Sequence, residues 1–300
     1  MLKMWKTLGL VSILSLGLLL AACGDSDEGN GDEGGDSQVG DGESVELVYV
    51  EWDSEIASTH VVGKVLEDLG YDVSLTPLDN AVMWESVANG EADGMVAAWL
   101  PATHASQFEE NKDSVVDLGE NLEGAKIGLV VPEYMDINSI EELPDVADEL
   151  GQKITGIEAG AGVVSSAENS IEDYGLDGWE VQTSSSGAMA TALGEAINNE
   201  EPIVVTGWTP HWKFAEYDLK YLEDPEGSFG EAEVIKTMVR EGLEEDLPNV
   251  YTVLDQFNWE TEDMESVMLD IQNGADPADA AATWVEENED KVSEWTEGVE

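Results

Sequence analysis

Basic residues are scarce in this chain. Its 300 residues carry 11 Lys and Arg against 67 Asp and Glu, a formal net charge of −56. A field of that sign repels nucleic acid and anionic lipid headgroups, so neither is an expected partner. It also weakens the folded state by self-repulsion at low salt. Because the excess runs through every segment, it reads as a surface built for high ionic strength, where screening is strong. Cysteine is scarcer still: Cys23 stands alone, which excludes a disulfide framework and a thiolate metal site. The three histidines, His60, His104 and His211, have no spacing that sets a pair with a carboxylate on one face, so neither zinc nor any other cofactor is expected. The serine run Ser184 to Ser186 lacks the strained G-x-S-x-G elbow and an evident base, so a serine nucleophile is not expected either.

The N-terminus has two basic residues, Lys3 and Lys6, then an apolar stretch and small residues before Cys23. That order is a secretory signal over residues 1–22, not a membrane span. The run Leu20-Ala21-Ala22-Cys23 resembles the bacterial lipobox, whose cysteine is lipidated and becomes the mature N-terminus. A lipid anchor at Cys23 on the outer face of the cell membrane follows as an expectation. Residues 23–44 are dense in Gly, Asp and Glu and hold no aromatic residue, so they read as a flexible acidic tether. Asp25 and Asp27 open like a calcium loop. The pattern then fails, with Gly29 at the third ligand position, Asn30 where glycine is needed and Asp36 where a bidentate Glu is needed.

From Val45 onward the chain is long enough for two lobes with their own cores. VELVYVEW alternates as a strand should, and SEIASTHVVGKVLEDLG follows with Ile56, Val61, Val65 and Leu69 at helical spacing. YDVSLTP, NAVMWESVANG and GMVAAW read as strand, helix and strand. AKIGLVVPEYM reads as a strand crossing to a second lobe, where SIEELPDVADEL, KITGIEAG, GVVSSAENSIEDYG, WEVQTSS, GAMATALGEAINN and PIVVTGW alternate helix and strand. KYLE and DPEGSFG look like the return crossing, and from Glu231 onward we read only helices, over about 231–244, 246–257, 260–273 and 277–296. This places the first lobe at residues 45–130, completed by 231–300, and the second at 131–230.

The two units are related. Each closes on a Trp-X-Pro with a histidine close behind, AAWLPATH and TGWTPHW, and Trp52 to Trp99 is 47 residues where Gly160 to Trp208 is 48. Ligands of open α/β sheets sit beyond the carboxyl ends of the strands. Trp52, Trp99 and Trp208 stand at such ends, so they are expected to share one aromatic site, and indole is the best side-chain partner for a desolvated cation. EAGAGVV, from Glu158 to Val164, leaves backbone N–H groups free at a helix start, which suits a small anion. It is no dinucleotide fingerprint, since Ser165 stands where the third glycine belongs. His104 is placed to donate to that anion. His211 and Ala161 are secondary candidates, whereas Trp84, Trp179, Trp259, Trp284 and Trp295 are assigned to packing. A caged cation beside a clamped carboxylate describes a zwitterion with a bulky alkylammonium head, and a quaternary ammonium can be buried because it has no N–H to leave unsatisfied.

Taken together, VEWDSEIAST, AAWLPATH, GLVVPEYM, EAGAGVV and TGWTPHWKFAEYDLKYLEDP resemble the glycine betaine substrate-binding lipoproteins of osmoprotectant ABC importers, the OpuAC family. The likeness runs from about Val45 to the C-terminus. It implies a two-lobe, periplasmic-binding-protein-like α/β fold of the type II, cluster C kind, with the ligand cleft between the lobes. It implies a monomer that closes on its ligand and docks on a permease with a cytoplasmic ATPase. The family's three cage tryptophans fall on Trp52, Trp99 and Trp208, its carboxylate-binding amides on Gly162 and Val163, and its histidine donor on His104. Members carry the two halves in either order; here the unit with Trp52 and Trp99 comes first. A receptor for glycine betaine and proline betaine, not an enzyme, is therefore expected. The rivals are a same-fold receptor for choline or carnitine, a secreted hydrolase using His104 or the serine run, and an acidic surface adhesin.

Overall fold

The computed structural model describes residues 39–300. The signal segment, Cys23 and most of the acidic tether lie outside the described residues. The folded body begins before Val45. The Gly40 N–H donates to Leu69 O at 2.8 Å and the Gly42 N–H to Gly70 O at 2.9 Å, so the last tether residues already lie against the end of the first helix.

In the first half the expected alternation is present as β1 (Ser44–Tyr49), α1 (Asp53–Asp68), β2 (Asp72–Pro77), α2 (Asn80–Ala88), β3 (Gly94–Leu100) and α3 (Ala105–Asn111). Asp53 in the first turn of α1 complements its positive end. A long strand, β4 (Val115–Pro132), leads out of this half. A 3-10 segment over Ile140–Val146, capped by the Ser139 hydroxyl, precedes α4 (Ala147–Leu150). Then come β5 (Lys153–Thr155), α5 (Gly162–Asp173), β6 (Glu180–Gln182), α6 (Ser186–Asn199), β7 (Val205–Thr209), α7 (Lys213–Glu216) and β8 (Leu219–Tyr221). The chain returns through β9 (Glu233–Arg240) and ends in α8 (Leu243–Asp246), α9 (Pro248–Gln256), α10 (Thr261–Gln272), α11 (Pro277–Glu287) and α12 (Glu289–Trp295).

The strands order as β2-β1-β3-β9-β4-β7-β5-β6, with β8 also on β4. The neighbours of β1 are parallel to it, as crossover helices require. β4 belongs to both halves: Val115 to Ala125 pairs with β9, Lys126 to Val130 with β7, and Val130 to Pro132 with β8. Its register slips at Gly119 and Gly124, both at positive φ, and bulges at such points let one strand bend from one half into the other.

Three expectations need correction. Residues 233–240 form a strand, not a helix, and β4 starts ten residues before Ala125. Val234, Ile235, Met238 and Val239 recur at spacing that a helix also satisfies. The β-branched residues Val234, Ile235, Thr237 and Val239 nevertheless suit the antiparallel slot between β3 and β4, and tertiary pairing decides. Finally, Asn288 breaks the expected helix over 277–296 into α11 and α12.

The C-terminal helices are joined by aromatic packing. Trp284 and Trp295 stack with centroids 5.6 Å apart, Trp259 meets Trp284 edge-on at 5.6 Å, and Phe257 meets Trp295 edge-on at 4.9 Å. α10 and α11 pack on α1, so this tail covers the first half. Among the described residues no helix is long and apolar enough to cross a membrane.

One core group opposes the fold. Glu55 is fully buried in α1; one oxygen accepts the Val50 N–H at 2.8 Å, and the other has no partner. Burial pushes its pKa up to about 8. The folded state therefore holds a proton that the unfolded chain releases near the ordinary value, so stability falls as pH rises between about 4.5 and 8. Glu55→Gln is expected to raise the melting temperature at pH 8 and to change it little at pH 4.5, followed by circular dichroism.

Candidate functional site

Where the two halves meet, Trp52, Trp99, Trp208, His104, Ala161, Gly162 and Val163 line one recess of about 320 Å³, counting its mouth, together with Ser54, Thr103, Ile127 and Ile157. The structure thus brings the three expected indoles, the expected histidine and the expected helix start to one place. Trp52 caps the N-terminus of α1, Trp99 lies within β3 and Trp208 within β7. β5 ends at Thr155, so Gly160 lies in a loop and not at a strand end as expected. Both Trp-X-Pro segments carry a cis peptide, Leu100-Pro101 and Thr209-Pro210, and each turns the chain sharply after its indole.

His104 closes on its own strand. Its N–H donates to Trp99 O at 2.9 Å, and the Trp99 N–H donates back to His104 Nδ1 at 3.2 Å. Accepting at Nδ1 assigns the ring proton to Nε2. That Nε2 is buried and has no partner, while burial lowers the pKa of His104 to about 3, so the ring is a neutral donor. It packs between Trp52, 6.1 Å away, and Trp84, edge-on at 6.0 Å.

Opposite it, Gly162 and Val163 open α5. First-turn N–H groups have no intrahelical acceptor and sit at the positive end of the helix, so two donors face the recess. Gly162 is also a steric requirement, because a Cβ there would collide with the Thr103 carbonyl of the other half. The Thr103 segment is itself held by buried Glu233 on β9, which accepts the N–H groups of Ala102 at 2.6 Å and Thr103 at 2.8 Å and the Thr103 hydroxyl. Glu233 escaped sequence reasoning because it sits in the stretch read as helix.

His211 has the same construction as His104 and a different place. Its Nδ1 accepts the Lys213 N–H at 3.1 Å, but its ring packs edge-on against Trp208 at 4.6 Å and does not line the recess. Burial brings its pKa down to about 4. Lys213 is fully buried beside it, with Nζ 4.2 Å from the Trp208 ring centre and no hydrogen bond, and burial lowers its pKa well below the ordinary value.

The recess can therefore take a cation only on aromatic faces, since no carboxylate lines it. An ammonium bearing N–H groups would leave them unsatisfied, whereas a fully alkylated one has none. Three neutral donors, His104 Nε2–H and the two N–H groups of α5, suit one small anion. Among the described residues no three His, Cys, Asp or Glu groups are placed to hold a metal ion.

A family model for the substrate-binding domain of ABC-type glycine betaine transport systems matches residues 43–287. The glycine betaine/carnitine transport binding protein GbuC of Listeria monocytogenes is 51% identical over 158 residues, covering 52% of this chain and 53% of that protein, so the match spans about half of that relative. Lactococcal OpuAC, closed around glycine betaine, superposes with a TM-score of 0.82 at 52% identity, covering 85% of this chain and 100% of that one. A choline-binding protein of an ABC transporter, in complex with choline, gives 0.80 at 29% identity, covering 88% and 93%. Its two-lobe α/β architecture is that of these binding proteins, and the chain belongs to the OpuAC family of substrate-binding domains of ABC-type glycine betaine transport systems.

Proposed function

We propose that this protein captures glycine betaine, and also proline betaine, outside the cytoplasm and delivers it to an ABC permease with a cytoplasmic ATPase for osmoprotection. Trp52, Trp99 and Trp208 enclose the trimethylammonium head. Gly162 and Val163 donate their N–H groups to the carboxylate, and His104 donates Nε2–H. The lobes in this reading are residues 45–130 with 231–300, and 131–230. Cys23 carries the lipid anchor, and the protein works as a monomer in a salty medium.

The observation that carries this reading is the His104 Nε2–H, a buried donor without an acceptor, beside the start of α5 in a recess walled by three indoles. A buried donor left unpaired is costly, and a ligand carboxylate would satisfy it. Choline offers these three donors one neutral hydroxyl oxygen in place of a two-oxygen carboxylate, which ranks betaine above choline even though one similar structure holds choline.

Fluorescence titration tests the reading. A desolvated cation–π contact contributes about 2 kcal/mol, so Trp208→Ala should weaken glycine betaine about 30-fold while the melting curve stays cooperative. Choline should compete with glycine betaine at least tenfold less well than proline betaine does. Choline preference would show that the amides and His104 do not act as an anion clamp. Because His104 titrates near pH 3, affinity should be flat from about pH 5 to 8, and a break near 6.5 would mean that the imidazole is solvated. Screening of the net charge should raise the melting temperature between about 0.1 M and about 2 M NaCl, measured without ligand.

A further inference from the structure

Beside the cage, and outside it, two carboxylates join the halves. Asp53, the first residue of α1, accepts Trp212 Nε1–H at 2.7 Å and the Ser186 hydroxyl at 2.8 Å, and His211 Nε2 lies 3.5 Å from it. All three partners belong to the other half. Glu158 of that half accepts Trp52 Nε1–H at 3.0 Å and the Ser186 N–H at 3.2 Å. Ser186 thus gives its hydroxyl to one carboxylate and its N–H to the other, and Trp52 and Asp53 are consecutive.

We propose that Asp53 is a positioning residue for closure: it draws Trp212, Ser186 and His211 onto the first turn of α1, while Glu158 fixes the Trp52 wall of the cage from the opposite side. The cage is then completed only when the halves meet, because the indole N–H of Trp52 finds its acceptor across the cleft. Both hydrogen-bond donors to Asp53, the Trp212 indole and the Ser186 hydroxyl, are uncharged, and the helix N-terminus adds to the stabilisation of the carboxylate. Burial opposes ionisation of Asp53, but the nearby His211 ring and the hydrogen bonds from Trp212 and Ser186 outweigh it and hold the group well below the usual carboxylate range. An open cleft would return these groups to water, so the lattice biases closure and does not lock it. The expectation for ligand release rests on the betaine reading above, whereas closure itself does not.

Single-molecule energy transfer tests this on the full chain with Cys23→Ser and dyes on Asp148→Cys and Glu286→Cys, both exposed and on opposite halves. Asp53→Asn is nearly isosteric but turns one acceptor into a donor facing donors. It should lower the closed fraction without ligand and speed glycine betaine release about tenfold. It should also leave the ratio of glycine betaine to choline affinity within about twofold, since no ligand contact is removed. Trp212→Phe, which keeps the ring and loses only the N–H, should give part of the same effect, and the double variant should be non-additive. An unchanged closed fraction and release rate in Asp53→Asn, or strict additivity, overturns the proposal. If Asp53→Asn does not fold, Trp212→Phe decides by the same readouts. If the parent binds no betaine, the functional reading fails, and the closed fraction without ligand still decides the latch.

Discussion

Desolvation is the constraint on which the cavity depends. An indole face attracts a cation strongly only where water and competing carboxylates are held away from it, and a neutral histidine donates usefully only if it stays neutral and keeps one tautomer. Both conditions are met by burial and backbone geometry. Trp99 N–H fixes the His104 proton on Nε2, burial keeps the ring uncharged, and Glu233 ties the loop between them to β9. The carboxyl ends of β3 and β7 supply two indoles, and the start of α1 supplies the third.

Much of this was legible in the sequence, and the reasons are particular. The strands and helices of the first half follow clean periodicities, and the duplicated Trp-X-Pro marks two equivalent turns whose indoles do face one recess. Small residues before α5 announced free N–H groups, because Gly160, Ala161 and Gly162 leave a helix start uncovered. What escaped was long-range pairing. β9 carries Val234, Ile235, Met238 and Val239 at spacing common to helix and bulged strand, and only its neighbours β3 and β4 choose between them. Glu233, Asp53 and Glu158 escaped for the same reason. In a chain with 67 acidic residues, nothing local distinguishes a buried carboxylate from an exposed one.

The two histidines show how far a duplication can diverge with its local chemistry intact. Each accepts a backbone N–H at Nδ1, each is fully buried, and each lies beside a tryptophan that lines the recess. His104 lines the recess with its Nε2 unpartnered, whereas His211 has its Nε2 3.5 Å from Asp53. One device is therefore used twice, once toward the recess and once across the cleft. The difference lies in offset: His104 follows its tryptophan by five residues and His211 by three, which swings the second ring behind Trp208 instead of beside it.

Acidic residues make up more than a fifth of the chain, yet none of the eleven residues lining the recess is acidic. Two carboxylates, on Asp53 and Glu158, stand immediately behind lining residues, and a third, on Glu233, anchors Thr103. A free carboxylate at any of these points would attract cations of every kind, including metal and primary ammonium ions. Asp53 and Glu158 bond indole, hydroxyl and backbone donors, and Glu233 is saturated by the Ala102–Thr103 turn. Each charge is thereby spent on fixing a wall and is withheld from the cavity. The surface is densely acidic while the recess is walled by aromatic and neutral groups, and the change from one regime to the other occurs within a single layer of side chains.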